Sequence, residues 1–171
     1  MKSKKLYKFL RTGLKSDSGD MSWTPNTWYH EDTAKLCNSG FHASKTPLQA
    51  LGYVGGEILA EVEVKGDSDV SDDKECWTEM KIVKAYHWKK EDSVALSIYA
   101  AELVIENYEK QYPDDKRPRN AIEAAKKVLE ADTEENRSAA RSAESAAAKK
   151  KLIASLDAWF VKRIKTLEPY E

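Results

Sequence analysis

The distribution of glycine constrains this chain more than any other feature. All seven glycines lie between Gly13 and Gly66, all three histidines lie at or before His87, and no glycine follows Gly66 in a chain of 171 residues. Glycine supplies the positive-φ positions that hairpins and tight turns need, and its absence over a long stretch suits helices. The chain is therefore read in two parts, a Gly-rich mixed α/β domain over residues 1–88 and a helical bundle over residues 89–171. The expected class is α+β, with a small, mostly antiparallel sheet followed by an antiparallel bundle.

Within the first part, Lys5 to Leu10 reads as an opening strand, followed by a long polar loop through Asp17, Ser18, Gly19 and Asp20. The loop carries Trp23, Trp28 and Tyr29, more aromatic surface than a mere connection needs, so it is expected to pack or to wall a groove. Gly40 to Ser44 predicts a short strand. Thr46 before Pro47 is an N-cap followed by a proline at the first helical position, opening a short helix to about Val54. After Gly55 and Gly56, the residues Ile58, Ala60, Val62 and Val64 alternate with Glu61, Glu63 and Lys65. That period of two predicts a strand with one apolar and one solvated face. An acidic turn from Asp67 to Asp73 is expected next, and then a strand from Cys76 to Trp88.

Helical spacing takes over after the capping cluster Glu91, Asp92 and Ser93, with a stripe of Val94, Ile98, Ala101, Ile105, Tyr108 and Tyr112. Pro113 ends that helix, and Asp114 to Pro118 is read as a turn. Ala121, Ile122, Ala125, Val128 and Leu129 mark a second helix. Thr133 caps a third, whose stripe from Ala139 to Ala147 leads into Ile153, Leu156, Trp159, Phe160, Ile164 and Leu167, as one long helix or two with a bend near Lys149.

Charge is dense and balanced, with 28 basic and 29 acidic residues and a formal net charge of -1. Dominant nucleic-acid binding draws on clustered basic residues and is not favoured by that balance. No apolar run reaches the length of a membrane span or a signal peptide, so no membrane role and a cytoplasmic location are expected. Cys37 and Cys76 are read as small buried hydrophobes, and their spacing from His30 and His42 matches no zinc pattern, so no metal and no cofactor are expected. There is no GxSxG, phosphate-binding loop or HExxH motif. The charged faces of the helices read as solvated. The cluster Asp114, Asp115, Lys116, Arg117 and Arg119 is open to two readings, an intramolecular clamp on the next helix or a polar surface for a protein partner.

Three resemblances follow from particular strings. Arg117 to Ala125, of the form RPRxAIEAA, together with Tyr112 to Lys116 and the later Ala139-Ala140-Arg141-Ser142-Ala143, resembles the helical module of bacterial and phage proteins described as putative immunity proteins. Cys37 to Ala43, of the form C-x-x-GFHA, with the Pro47-Leu48 helix start, resembles an uncharacterised domain common in phage-encoded proteins. Together they imply a phage or mobile-element accessory protein, acting in the host cytoplasm, that inhibits a host or defence protein by occlusion, as anti-CRISPR proteins do. The order Gly40 to Ser44, Ala50 to Tyr53, Ile58 to Val64 is similar to the ADP-ribosyltransferase fold. That resemblance implies an NAD-using enzyme or nucleotide binder in which Tyr7, Tyr53 and Glu79 take the catalytic roles. A ligand groove would then be sought around Trp23, Trp28, His42 and Tyr53.

Overall fold

The computed structural model describes residues 3–130 and 149–170. In chain order its elements are β1 (Lys4–Leu10), β2 (Tyr29–His30), β3 (Phe41–Ala43), α1 (Pro47–Leu51), β4 (Ile58–Val70), β5 (Glu75–His87), α2 (Lys90–Gln111), α3 (Arg117–Glu130) and α4 (Lys149–Ile164). The class is mixed α+β, and the five strands form an antiparallel sheet in the order β1-β4-β5-β2, with β3 also on β5. Contacts divide the chain into one unit of Met1–Trp88 with Phe160–Glu171 and a second of Lys89–Trp159.

The first unit is organised by the β4–β5 hairpin. β1 pairs with the free edge of β4, from Lys4 opposite Val64 to Leu10 opposite Ile58. The far edge of β5 takes β2 at Met80 and Glu79 and β3 from Trp77 to Glu75. Just past β3, Ser44 and Tyr7 exchange backbone hydrogen bonds of 2.8 Å each way, so the ladder closes from β3 back onto β1. Closure satisfies edge groups that an open sheet leaves exposed. Leu6, Leu10, Ile58, Ala60, Val62 and Ile82 fill the interior, each large side chain contributing roughly 1.5–3 kcal/mol by leaving water.

The end of α4 and the residues after it return to this unit. The His87 N–H donates to the Glu168 carbonyl at 2.9 Å and the Tyr170 N–H to the Ala85 carbonyl at 2.8 Å. Phe160 stacks on Trp88 with centroids 4.9 Å apart.

In the second unit, α2 and α3 form an antiparallel hairpin, a direction read directly from the ion pairs Glu109–Arg119 and Glu102–Lys126. Ile98, Ile105, Ile122 and Ala125 are its packed seam. Asp92 at the start of α2 accepts from the Lys89 N–H at 2.8 Å, as a capping carboxylate does.

Several expectations are corrected. The first helix stops at Leu51, because Gly52 begins a tighter turn in which the Tyr53 and Val54 N–H groups both reach the Ala50 carbonyl. The acidic stretch from Asp67 is not a turn. β4 runs on to Val70 through a register shift between Lys65 and Ser68, where Gly66 takes φ +87° and the Asp67 N–H donates to Thr78 Oγ1. The turn is only Ser71 to Lys74. Glu61, read as solvated, is buried against Lys5 Nζ at 2.7 Å. Cys37 is exposed, since it sits at φ +60° at the apex of a turn. Arg117 and Arg119 lie in α3 and not in the preceding turn. Tyr112 and Leu129, placed on packed stripes by period, are exposed at the outer ends of the α2–α3 seam. The proposed third helix from Thr133, with its alanine stripe, lies outside the described residues.

Candidate functional site

A cleft of about 60 Å³ opens between β1, the segment after β3, and α1, lined by Tyr7, Lys8, Phe9, His42, Ala43, Ser44, Ala50, Tyr53, Val54 and Lys74. It exists because Ser44 is sewn to Tyr7 while α1, capped by Thr46 with Gln49 answering in a capping box, carries Ala50 and then Tyr53 over the strand ends.

Lys8 is its most unusual member. Alternation along β1 puts Lys8 in the same inward row as Leu6 and Leu10, opposite Ala60 on β4. Its Nζ donates to the His42 carbonyl at 3.0 Å. Burial lowers its pKa from 10.5 to about 8, offset only weakly by Cys76 and Asp17. Charged lysines are rarely taken inward without an ionic partner.

His42 shapes the cleft rim. Its Nε2 accepts from the Cys37 N–H at 3.0 Å and it also bonds to the Gly40 backbone, so the neutral ring ties together the turn from Lys35 to Ser39. Burial lowers its pKa, and the positive charges of Lys8 and Lys74 lower it further. Behind the ring, the buried Cys76 thiol donates to the Ser39 carbonyl at 2.8 Å and is pushed up by burial.

Lys74, the last residue of the turn before β5, lies with Nζ 3.2 Å from Cys37 Sγ and 4.5 Å from the centre of the Tyr53 ring. The Tyr53 hydroxyl bonds to Asp73, which raises the phenol and lowers the carboxyl. The Tyr53 side chain is otherwise 47% exposed.

Of the residues singled out from sequence, the structure brings Tyr7, His42 and Tyr53 together on this cleft and sends the others elsewhere. Trp23 is core, edge-on to Tyr29 and Phe41 with Nε1 donating to Ser16 Oγ at 2.9 Å. Trp28 lies on the outer sheet face beneath Lys65 and Lys81, whose Nζ atoms are 4.4 and 5.1 Å from its ring. Glu79 belongs to that same face, paired with Lys65 at 3.0 Å. Asp115 accepts from Tyr108 Oη at 2.8 Å and from Arg117 Nε and Nη2 at 2.9 and 2.7 Å, and Arg119 binds Glu109 in a two-pronged contact. Asp114 and Lys116 stay exposed beside them. Lys8, Lys74 and Ser44 were not singled out. Lys8 carried a signal, a charge in an otherwise apolar row of period two; Lys74 carried none, being one of many surface lysines in sequence.

Among the described residues no group of three or more His, Cys, Asp or Glu is placed to hold a metal ion, and no helix is long and apolar enough to cross a membrane.

The fold and cleft define a small closed-sheet domain with a basic, aromatic-rimmed recess. Residues 4–92, just over half of the chain and all of the cleft, match the family described as a domain of unknown function, DUF7666, and the chain belongs to that family. No curated protein and no solved structure matches it.

Proposed function

We propose that the chain is a phage or mobile-element accessory protein that binds a host or defence protein in the host cytoplasm and inhibits it by occlusion, in the manner of immunity or anti-CRISPR proteins. The observation that carries this reading is the size of the cleft. At about 60 Å³ it is well below the roughly 300–1,000 Å³ of pockets that enclose cofactors and drug-sized ligands. Glu79 is also engaged with Lys65 on another face. In this reading the chain acts through its surface, and the residues after Lys89 form an antiparallel helical bundle that serves as the partner surface, with Tyr112, Asp114 and Lys116 exposed at the α2–α3 corner as its contacts. Arg117 and Arg119, themselves exposed, support that corner through their pairs with Asp115 and Glu109. The immunity-protein resemblance of the RPRxAIEAA string favours the same surface.

The test is expression of the chain in a bacterium that carries a defence system, followed by phage challenge. Plating is expected to recover, and the triple change Tyr112→Ala, Asp114→Lys, Lys116→Glu is expected to abolish recovery while leaving the circular dichroism spectrum unchanged. Turnover of NAD by the purified protein, lost in Glu79→Gln, would overturn the reading.

The meeting of Tyr7 and Tyr53 on one cleft favours a second reading, an ADP-ribosyltransferase-like enzyme or nucleotide binder. Thermal shift with millimolar NAD separates the two: stabilisation supports the second reading, and an unmoved transition leaves the first.

A further inference from the structure

We infer that the cleft binds the phosphate group of a small phosphate monoester, seated between Lys8 and Lys74. This concerns the sheet domain alone and stands whether or not the helical segment occludes a partner.

Lys8 occupies an inward position in a row otherwise filled by Leu6 and Leu10, and an ammonium has three N–H donors. One is used, on the neutral carbonyl of His42. Among the described residues no carboxylate lies within ion-pair distance of Lys8 or of Lys74, although most other lysines of the sheet, Lys4, Lys5, Lys65 and Lys81, are so paired. Neither lysine of the cleft has such a partner among the described residues, and the two line the same recess. Asp73 is directed to Tyr53 and Asp69 to the Leu36 N–H. A basic recess with apolar walls from Phe9, Ala43, Ala50 and Val54 strengthens attraction to an anion beyond its value in water.

Two ammonium groups match a dianion better than a carboxylate. The space is that of a few waters, which suits one tetrahedral oxyanion and not the body of a nucleoside. Ser44 and Tyr53 line the same recess. The rest of the ester would leave past Tyr53, whose exposed ring forms the rim. His42, with both nitrogens engaged in the 35–42 segment, positions the wall and is not itself a ligand.

The experiment compares inorganic phosphate and phenyl phosphate with sodium chloride at equal ionic strength near neutral pH, by thermal unfolding and by ¹H–¹⁵N NMR on the whole chain. At ligand about tenfold above its dissociation constant, the wild-type Tm is expected to rise by roughly 3–5 °C. A larger rise with phenyl phosphate identifies an ester as the ligand; equal rises identify free phosphate as its source. Lys8→Met is expected to lose the response, and Lys74→Gln to weaken it. Should Lys8→Met not fold, the wild-type spectrum decides: phosphate must move the signals of Tyr7, Lys8, His42 to Ser44 and Lys74 together. Equal responses in wild type and either variant, or no clustered movement at tens of millimolar phosphate, overturn the proposal.

Discussion

Lys8 faces Ala60 across the β1–β4 ladder, inside a row whose other members on β1 are Leu6 and Leu10. The small partner leaves room for the lysine stem, and the Nζ is drawn to the His42 carbonyl. The stem is suited to such a place and the ammonium is not. The sheet thus holds a group that lowers its stability.

Replacing Lys8 by Met is therefore expected to stabilise the protein in the absence of ligand, by on the order of 2 kcal/mol. The folded pKa of about 8 lies below the unfolded value of 10.5. Between those values the unfolded chain binds the extra proton, so this group makes stability rise with pH there and weighs in full below about 8. Urea unfolding at both ends of that window checks it: the advantage of Lys8→Met should shrink as pH rises.

His42 has the same sign at lower pH. Its folded pKa lies below the ordinary 6.5, through burial first and then Lys8 and Lys74. The unfolded chain takes up the proton first, so stability is expected to fall as pH drops below about 6.5. His42→Ala removes that slope. It is also expected to cost about 0.5–1.5 kcal/mol at neutral pH, because the Cys37 N–H exchanges the imidazole acceptor for water. Denaturant titrations of both proteins across this range measure the two effects.

Gly40 and Gly19 both have positive φ, +85° and +76°, yet differ in their surroundings. A Cβ on Gly40 would lie 2.8 Å from Cys76 Sγ and 2.9 Å from the Thr33 carbonyl oxygen, whereas one on Gly19 meets nothing within 4 Å. Gly40→Ala is expected to cost about 2–4 kcal/mol and Gly19→Ala about 1 kcal/mol, the backbone cost alone. Equal losses in chemical denaturation would contradict the tight packing behind the GFHA segment.

At the helical corner, the Arg117 guanidinium holds the Asp115 carboxyl well below the usual carboxylate range, helped by the Tyr108 hydroxyl and the Arg117 N–H. The stabilisation is present above the ordinary carboxylate pKa and is lost as pH falls through the folded one. Asp115→Asn is expected to lower the Tm near neutral pH and to flatten its acid dependence. Far-ultraviolet circular dichroism melts on both proteins provide the measurement.

The sequence by itself determined the elements whose signals are local. Alternation from Ile58 to Val64 marked β4, Thr46 and Pro47 marked the start of α1, and Pro113 marked the end of α2. Each depends on residues within a turn or a few strand positions of one another, so the order of the chain records them directly. Even there it misjudged β4 beyond Gly66, because a bulge breaks the alternation while the ladder to β5 continues. Tertiary structure decided what lies opposite what. Tyr7, Lys8, His42, Ser44, Tyr53 and Lys74 meet only because β3 is held on β5 and Ser44 closes onto β1. The same register moved Glu79 to Lys65 and buried Trp23 in the core. A cleft is built from hydrogen-bonded register between distant strands. No local pattern carries that information, which is why Lys74 was invisible in sequence and Lys8 was visible only as a charge out of place.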